Sequence, residues 1–299
     1  MTSIIFPIFQ LRNIESHIMK TFTSILSLLL LLVVTSCKKK IPKPYNIEVE
    51  SQEDVDLICS LVENGIYDGR ITFSNELELD YSCFSQITEV TESVVLRCND
   101  CIRHLENLER VGKEGLFFCD LAIEDIHFPK LRFAAGGVGC FTDCNHIKSV
   151  NLPVLEEAFW VNFNANTESK LQSFTGCNLF RECAEISIIS EQDDFVLDGF
   201  RSLESANNIS LSIRGDNLDI KDGAFSNLRK GYRIWILSEK NPNFNFNAFQ
   251  NLMECDNLTA VGDFKPNDLC PLVPLLKSEV VTNASFSSIE IEDLINICE

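Results

Sequence analysis

The stretch Phe200-Arg201-Ser202-Leu203-Glu204-Ser205-Ala206-Asn207-Asn208-Ile209-Ser210-Leu211 is followed 25 residues later by Phe225-Ser226-Asn227-Leu228-Arg229-Lys230-Gly231-Tyr232-Arg233-Ile234-Trp235-Ile236. The two share one plan: a hydrophobic anchor, a second anchor three residues on, a small residue, then an alternating apolar pair. The anchor pair recurs eight times, as Phe84 and Ile87, Leu105 and Leu108, Phe128 and Leu131, Leu152 and Leu155, Phe180 and Cys183, Phe200 and Leu203, Phe225 and Leu228, and Phe249 and Leu252. Successive first anchors lie 20 to 28 residues apart. A unit of that length cannot bury its own apolar stripe, so neighbours must stack, and the chain reads as a repeat solenoid.

Behind each anchor pair, period-two alternation marks a short strand with one face buried, as in Val161 and Phe163 after Ala158, or Ile234 and Ile236 after Gly231. Eight such strands at about 4.8 Å spacing predict a parallel sheet on the order of 40 Å long. If Val161, Phe163, Ile234 and Ile236 point inward, Trp160, Asn162 and Trp235 point out of the same strands, and Phe117 and Ser210 share that face. Exposed aromatics on a rigid sheet are contact anchors for proteins and, by stacking, for sugars. These five residues are the candidate ligand face, with cover by a flanking loop or the C-terminal segment as the plain alternative.

The first 36 residues read differently. Lys20, an apolar run from Ile25 to Val34, and the small residues Thr35 and Ser36 have the layout of a secretory signal, too short to remain as a membrane-spanning helix. A start at Met19 would leave residues 1–18 outside the protein. Val34-Thr35-Ser36-Cys37 resembles a bacterial lipobox, which implies acylation of Cys37 and a membrane held through that lipid. With Lys38 after the cysteine, the resemblance to bacterial lipoproteins implies outer-membrane delivery, at the cell surface or on the periplasmic side. Residues 37–46, with Lys38, Lys39, Lys40, Lys43, Pro42 and Pro44, read as a stiff lipidated tether.

The chain carries a formal charge of −19. Residues 1–36 contribute Arg12, Lys20 and Glu15, a net of +1, so the remainder holds −20. That balance argues against nucleic acid as a partner.

Ser51-Gln52-Glu53-Asp54-Val55-Asp56 has a helix cap with an acidic third position, and Asp68-Gly69-Arg70-Ile71-Thr72-Phe73 has a turn glycine leading into a strand. This pair of motifs, with the repeats behind it, resembles the receptor L domain, a leucine-rich-repeat-like module, and most of all the bacterial lipoproteins that carry L-domain-like arrays. The resemblance covers about residues 47–265. It implies a mainly β, right-handed leucine-rich-repeat/L-domain-like solenoid with a parallel sheet and an N-terminal capping helix. Residues 266–299, where Pro266, Pro271 and Pro274 break the rhythm, read as a C-terminal cap, with a last apolar and acidic alternation from Ser287 to Cys298.

Twelve cysteines remain after Cys37, an even number that in an exported chain favours disulfides. Cys59 and Cys83, flanking the first helix and strand, are the first expected pair. Two of Cys255, Cys270 and Cys298 could close the far end, and Cys98 and Cys119, each 14 residues after an anchor, either pair or sit in a small-residue column. Cys98 with Cys101 and Cys140 with Cys144 have the makings of a thiolate zinc site, but the second pair is spaced too widely and the repeat runs through both, so no metal is expected.

His104, His127 and His146 are the only histidines after Cys37, and the sequence has no nucleophile elbow, phosphate loop or zinc-protease helix. No enzyme and no cofactor is expected. Two functions remain: a lipid-anchored envelope protein that binds a protein or glycan on its sheet face for adhesion, ligand capture or complex assembly, or a structural scaffolding lipoprotein with no dedicated ligand.

Overall fold

The computed structural model describes residues 43–299 apart from 74–76, 120–123, 143, 165–168, 216, 222, 239–243 and 279. The signal segment, Cys37 and the tether as far as Pro42 lie outside the described residues. Lys43–Glu299 pack as one compact unit. It is mainly β, with one parallel sheet of 11 strands and two of five, an arrangement compatible with a β-solenoid.

One coil shows the plan. The strand Gly115–Cys119 lies in the large sheet and Asp125–His127 in one five-stranded sheet. The anchors Phe128 and Leu131 follow, then Phe133–Ala134 in the other small sheet, and Val138–Thr142 returns to the large sheet beside Gly115–Cys119. All sixteen anchors are buried, none more than 7 % exposed. Their spacing of three comes from a turn: the second anchor's N–H donates to the first anchor's carbonyl at 2.9 Å for Ile87 to Phe84 and for Leu228 to Phe225, and at 3.1 Å for Leu252 to Phe249. Both ends of such a turn can send their side chains inward. Outside it, Asn227 Nδ2 donates to the Arg201 carbonyl at 2.7 Å and Asn251 Nδ2 to that of Ser226 at 2.6 Å, stitching each turn to the previous coil.

Inside, the anchors Phe200, Phe225 and Phe249 continue a column from Phe174, with ring centroids 5.3, 5.3 and 5.7 Å apart. Phe200 and Phe225 adopt φ of +59° and +55°, the left-handed region that costs an L residue about 1–2 kcal/mol. Full burial of a stacked ring outweighs that cost.

Next to the anchors runs a column of small buried residues, Cys183, Ala206, Gly231 and Cys255, in register on four strands. From each, the next inward residue is three positions on rather than two, as from Ala206 to Ile209, so the chain bends within the strand and only a small side chain fits. Cys183 and Cys255 therefore act as small apolar residues. Burial pushes their thiols up to about 12 and about 11.

The large sheet has three strands more than the eight anchored coils supply. Tyr45–Val49 and Gly69–Phe73 precede the first anchor, and Val281–Phe286 follows the last. The sheet thus extends past residues 47–265 at both ends, because helices take the place of anchor turns there. Between the first two strands lies the helix Gln52–Leu61, which buries Val55 and Ile58; Ser51 Oγ accepts from the Asp54 N–H, and Asp54 accepts from the Glu50 N–H at 3.1 Å. Before the last strand, short helices bury Leu269, Leu272, Val273 and Leu275. Ile291–Cys298, read from sequence as an alternation, is a helix, since Ile291, Leu294, Ile295 and Cys298 recur at three and four residues on one side.

Disulfides join Cys59 to Cys83, Cys98 to Cys101, and Cys270 to Cys298. The first and third tie a terminal helix to its neighbours at opposite ends of the sheet. Cys98 bonds its near neighbour Cys101 rather than Cys119, a buried thiol. Changing Cys59 and Cys83 together to Ala should cost about 3 kcal/mol, the chain-entropy value for a 24-residue separation. An unchanged denaturation midpoint would refute this.

Candidate functional site

The large sheet turns one face to the core and the other outward. Val95, Phe117, Gly139, Asn162, Ser187, Ser210, Trp235 and Thr259 stand in register on eight consecutive strands of the outward face. Four of the five candidate residues thus share one cross-strand row. Trp160 stands in the adjacent row, with Glu185, Asn208, Arg233 and Asn257. The row is too long to be one small site, since Phe117 and Trp235 are five strand spacings, roughly 24 Å, apart.

Two groups form. Phe117 and Trp160 stack with centroids 5.5 Å apart and planes inclined by 30°, and Asn162 lies beside Trp160 on the same strand. Ser210 and Trp235 are direct neighbours on the other half of the sheet. All five are half-buried rather than open to solvent. For Trp160 the reason is local: a side chain at Gly137 would meet its ring carbons at 2.4 and 2.5 Å, so the indole lies flat over bare backbone with Phe117 at its side.

Beside Phe117 is a hollow of about 460 Å³ whose lining includes Arg70, Ser93, Val95, Arg97 and Glu114. Arg70 Nε donates to Ser93 Oγ at 3.0 Å, Ser93 Oγ donates to Glu114 Oε2 at 3.1 Å, and the Arg70 guanidinium pairs with the Glu114 carboxylate. The Arg70 bond, then that of Ser93, holds the Glu114 carboxyl below the usual carboxylate range. The triad is closed and fixed. Arg97 is different: its Nε is buried with no hydrogen-bond partner among the described residues.

Alternation around Ile71, Val94 and Leu96 places Arg70, Ser93 and Arg97 on the outward face, but only the three-dimensional pairing of coils gathers them with Glu114. A second, open cleft of about 760 Å³, where the small sheet ending at Ala158 meets the large one, exposes Phe159 and Leu179. Both escaped the sequence reading because neither lies on an inward or large-sheet position.

Among the described residues, no group of three or more His, Cys, Asp or Glu gathers as a metal site. Cys98 and Cys101 are bonded to each other, while Cys140 and Cys144 are buried thiols. No described helix is long and apolar enough to cross a membrane. Comparison with protein-family models, curated proteins and solved structures finds no match to this chain.

Proposed function

We propose that the chain is a lipid-anchored binding protein of the bacterial cell envelope that uses the outward face of its large sheet for adhesion, ligand capture or complex assembly. In this reading the fold is a right-handed solenoid of the leucine-rich-repeat and receptor L-domain type, the helix Gln52–Leu61 caps its first coil, and acylated Cys37 holds it at the outer membrane. The observation that carries the binding role is the stacked pair Phe117 and Trp160, kept at the surface over Gly137. The pair lies on the face of the sheet opposite the inward ladder, where a half-buried aromatic surface suits contact with a protein or a sugar.

The test is a titration of the full chain in detergent with envelope glycans and proteins, followed by intrinsic tryptophan fluorescence. The expected result is a saturable change that weakens at least tenfold in Trp160→Ala while the variant stays folded, losing about the 0.5–1.5 kcal/mol of its stack on Phe117. Equal binding by the variant would move the function off this face and favour the scaffold reading.

A further inference from the structure

Resting on that reading of the sheet face, we propose that the hollow beside Phe117 is a subsite for a carboxylate-bearing sugar ring, so that the ligand is an acidic glycan. Three features of the hollow lead there. Phe117 forms one wall, backed by the Trp160 ring stacked on it, an apolar side suited to the C–H face of a pyranose. Arg70, Ser93 and Glu114 satisfy one another, so they offer fixed hydroxyl and carboxylate edges without a net charge.

Arg97 is left as the uncompensated charge, in no ion pair among the described residues and with a buried Nε–H that bonds to nothing there. Because Arg97 lines the hollow and no described carboxylate answers its charge, a ligand carboxylate there gains a charge-assisted bond to the guanidinium. The hollow carries this positive charge although the chain as a whole has a formal charge of −19. Selectivity for an acidic unit then follows from one guanidinium, while the neighbouring row of Glu185, Asn208, Arg233 and Asn257 supplies polar contacts for further rings.

The probes are trigalacturonic acid and its methyl ester, which keeps every ring and removes the charge. Titrated by calorimetry against the full chain at physiological salt, the acid should bind at least about tenfold more tightly than the ester, and Arg97→Gln should erase that difference. The melting temperature of the variant should match the parent, since Arg97 has no partner to lose; Arg97→Lys, which keeps the charge, should recover part of the preference.

Equal affinity for acid and ester, with Trp160→Ala abolishing both, would overturn the acidic subsite and leave the sheet-face reading standing. Binding of neither probe would overturn the acidic-glycan proposal as well, and the sheet-face reading would then be judged by its own titration with envelope extracts.

Discussion

Phe225→Ala is expected to destabilise the protein by about 3–5 kcal/mol, the range for truncating a buried aromatic. The ring is fully buried and stacked on both sides, with planes inclined by 5° to Phe200 and 23° to Phe249. Each such stack is worth about 0.5–1.5 kcal/mol beyond burial. Alanine keeps the unfavourable φ of +55° and loses the ring that offsets it. Because a stacked array is held together by contacts between neighbouring coils, loss of this ring should also weaken coupling across the middle of the column. Urea denaturation should show an earlier midpoint and a broader or two-step transition. A shift equivalent to less than about 1 kcal/mol would mean the column is not what joins the coils.

Much of this architecture is legible from spacing alone, because the anchors are a one-dimensional trace of a repeated turn. Phe200 and Leu203 are legible as a pair because the turn sets two inward side chains three residues apart. Ala206 and Gly231 are legible because a bend in the strand admits only small groups. The ends are less legible: where helices replace the anchor turn there is no repeat to count, so Tyr45–Val49 and Val281–Phe286 are invisible to the rhythm. Ile291–Cys298 misleads because Ile289, Ile291, Ile295 and Ile297 fit a period of two from Ser287 on, while Ile291, Leu294, Ile295 and Cys298 fit one of 3.6.

The outward face was legible as a face and not as a site. Alternation tells which way Trp160 and Phe117 point, but their stacking needs the strand Val138–Thr142, with Gly137 just before it and Gly139 within it, to run between them, which joins residues on three coils. The same holds for Arg70 and Glu114, 44 residues apart in sequence and paired in space. Cys98 illustrates the limit for cysteines: it and Cys119 each lie 14 residues after an anchor, yet the strands pair Leu96 with Phe118, which puts the two cysteines one residue out of register, and Cys98 bonds Cys101 three residues away.

Ile234 and Trp235 put the central claim, that each strand of the large sheet divides into a structural face and a recognition face, to its most direct trial. Ile234 is fully buried between Ile209 and Leu258 of the flanking strands, and truncation to Ala should cost about 2–5 kcal/mol through the cavity it leaves. Trp235, one residue on, points the other way between Ser210 and Thr259 and is only half-buried, so Trp235→Ala should cost no more than about 1 kcal/mol despite removing far more atoms. The measurement is the unfolding free energy of the two variants, side by side, by chemical denaturation. The expected result is a large loss for Ile234→Ala and a small one for Trp235→Ala. Equal losses, or a greater one for the tryptophan, would place Trp235 in the core and contradict a recognition face on this sheet.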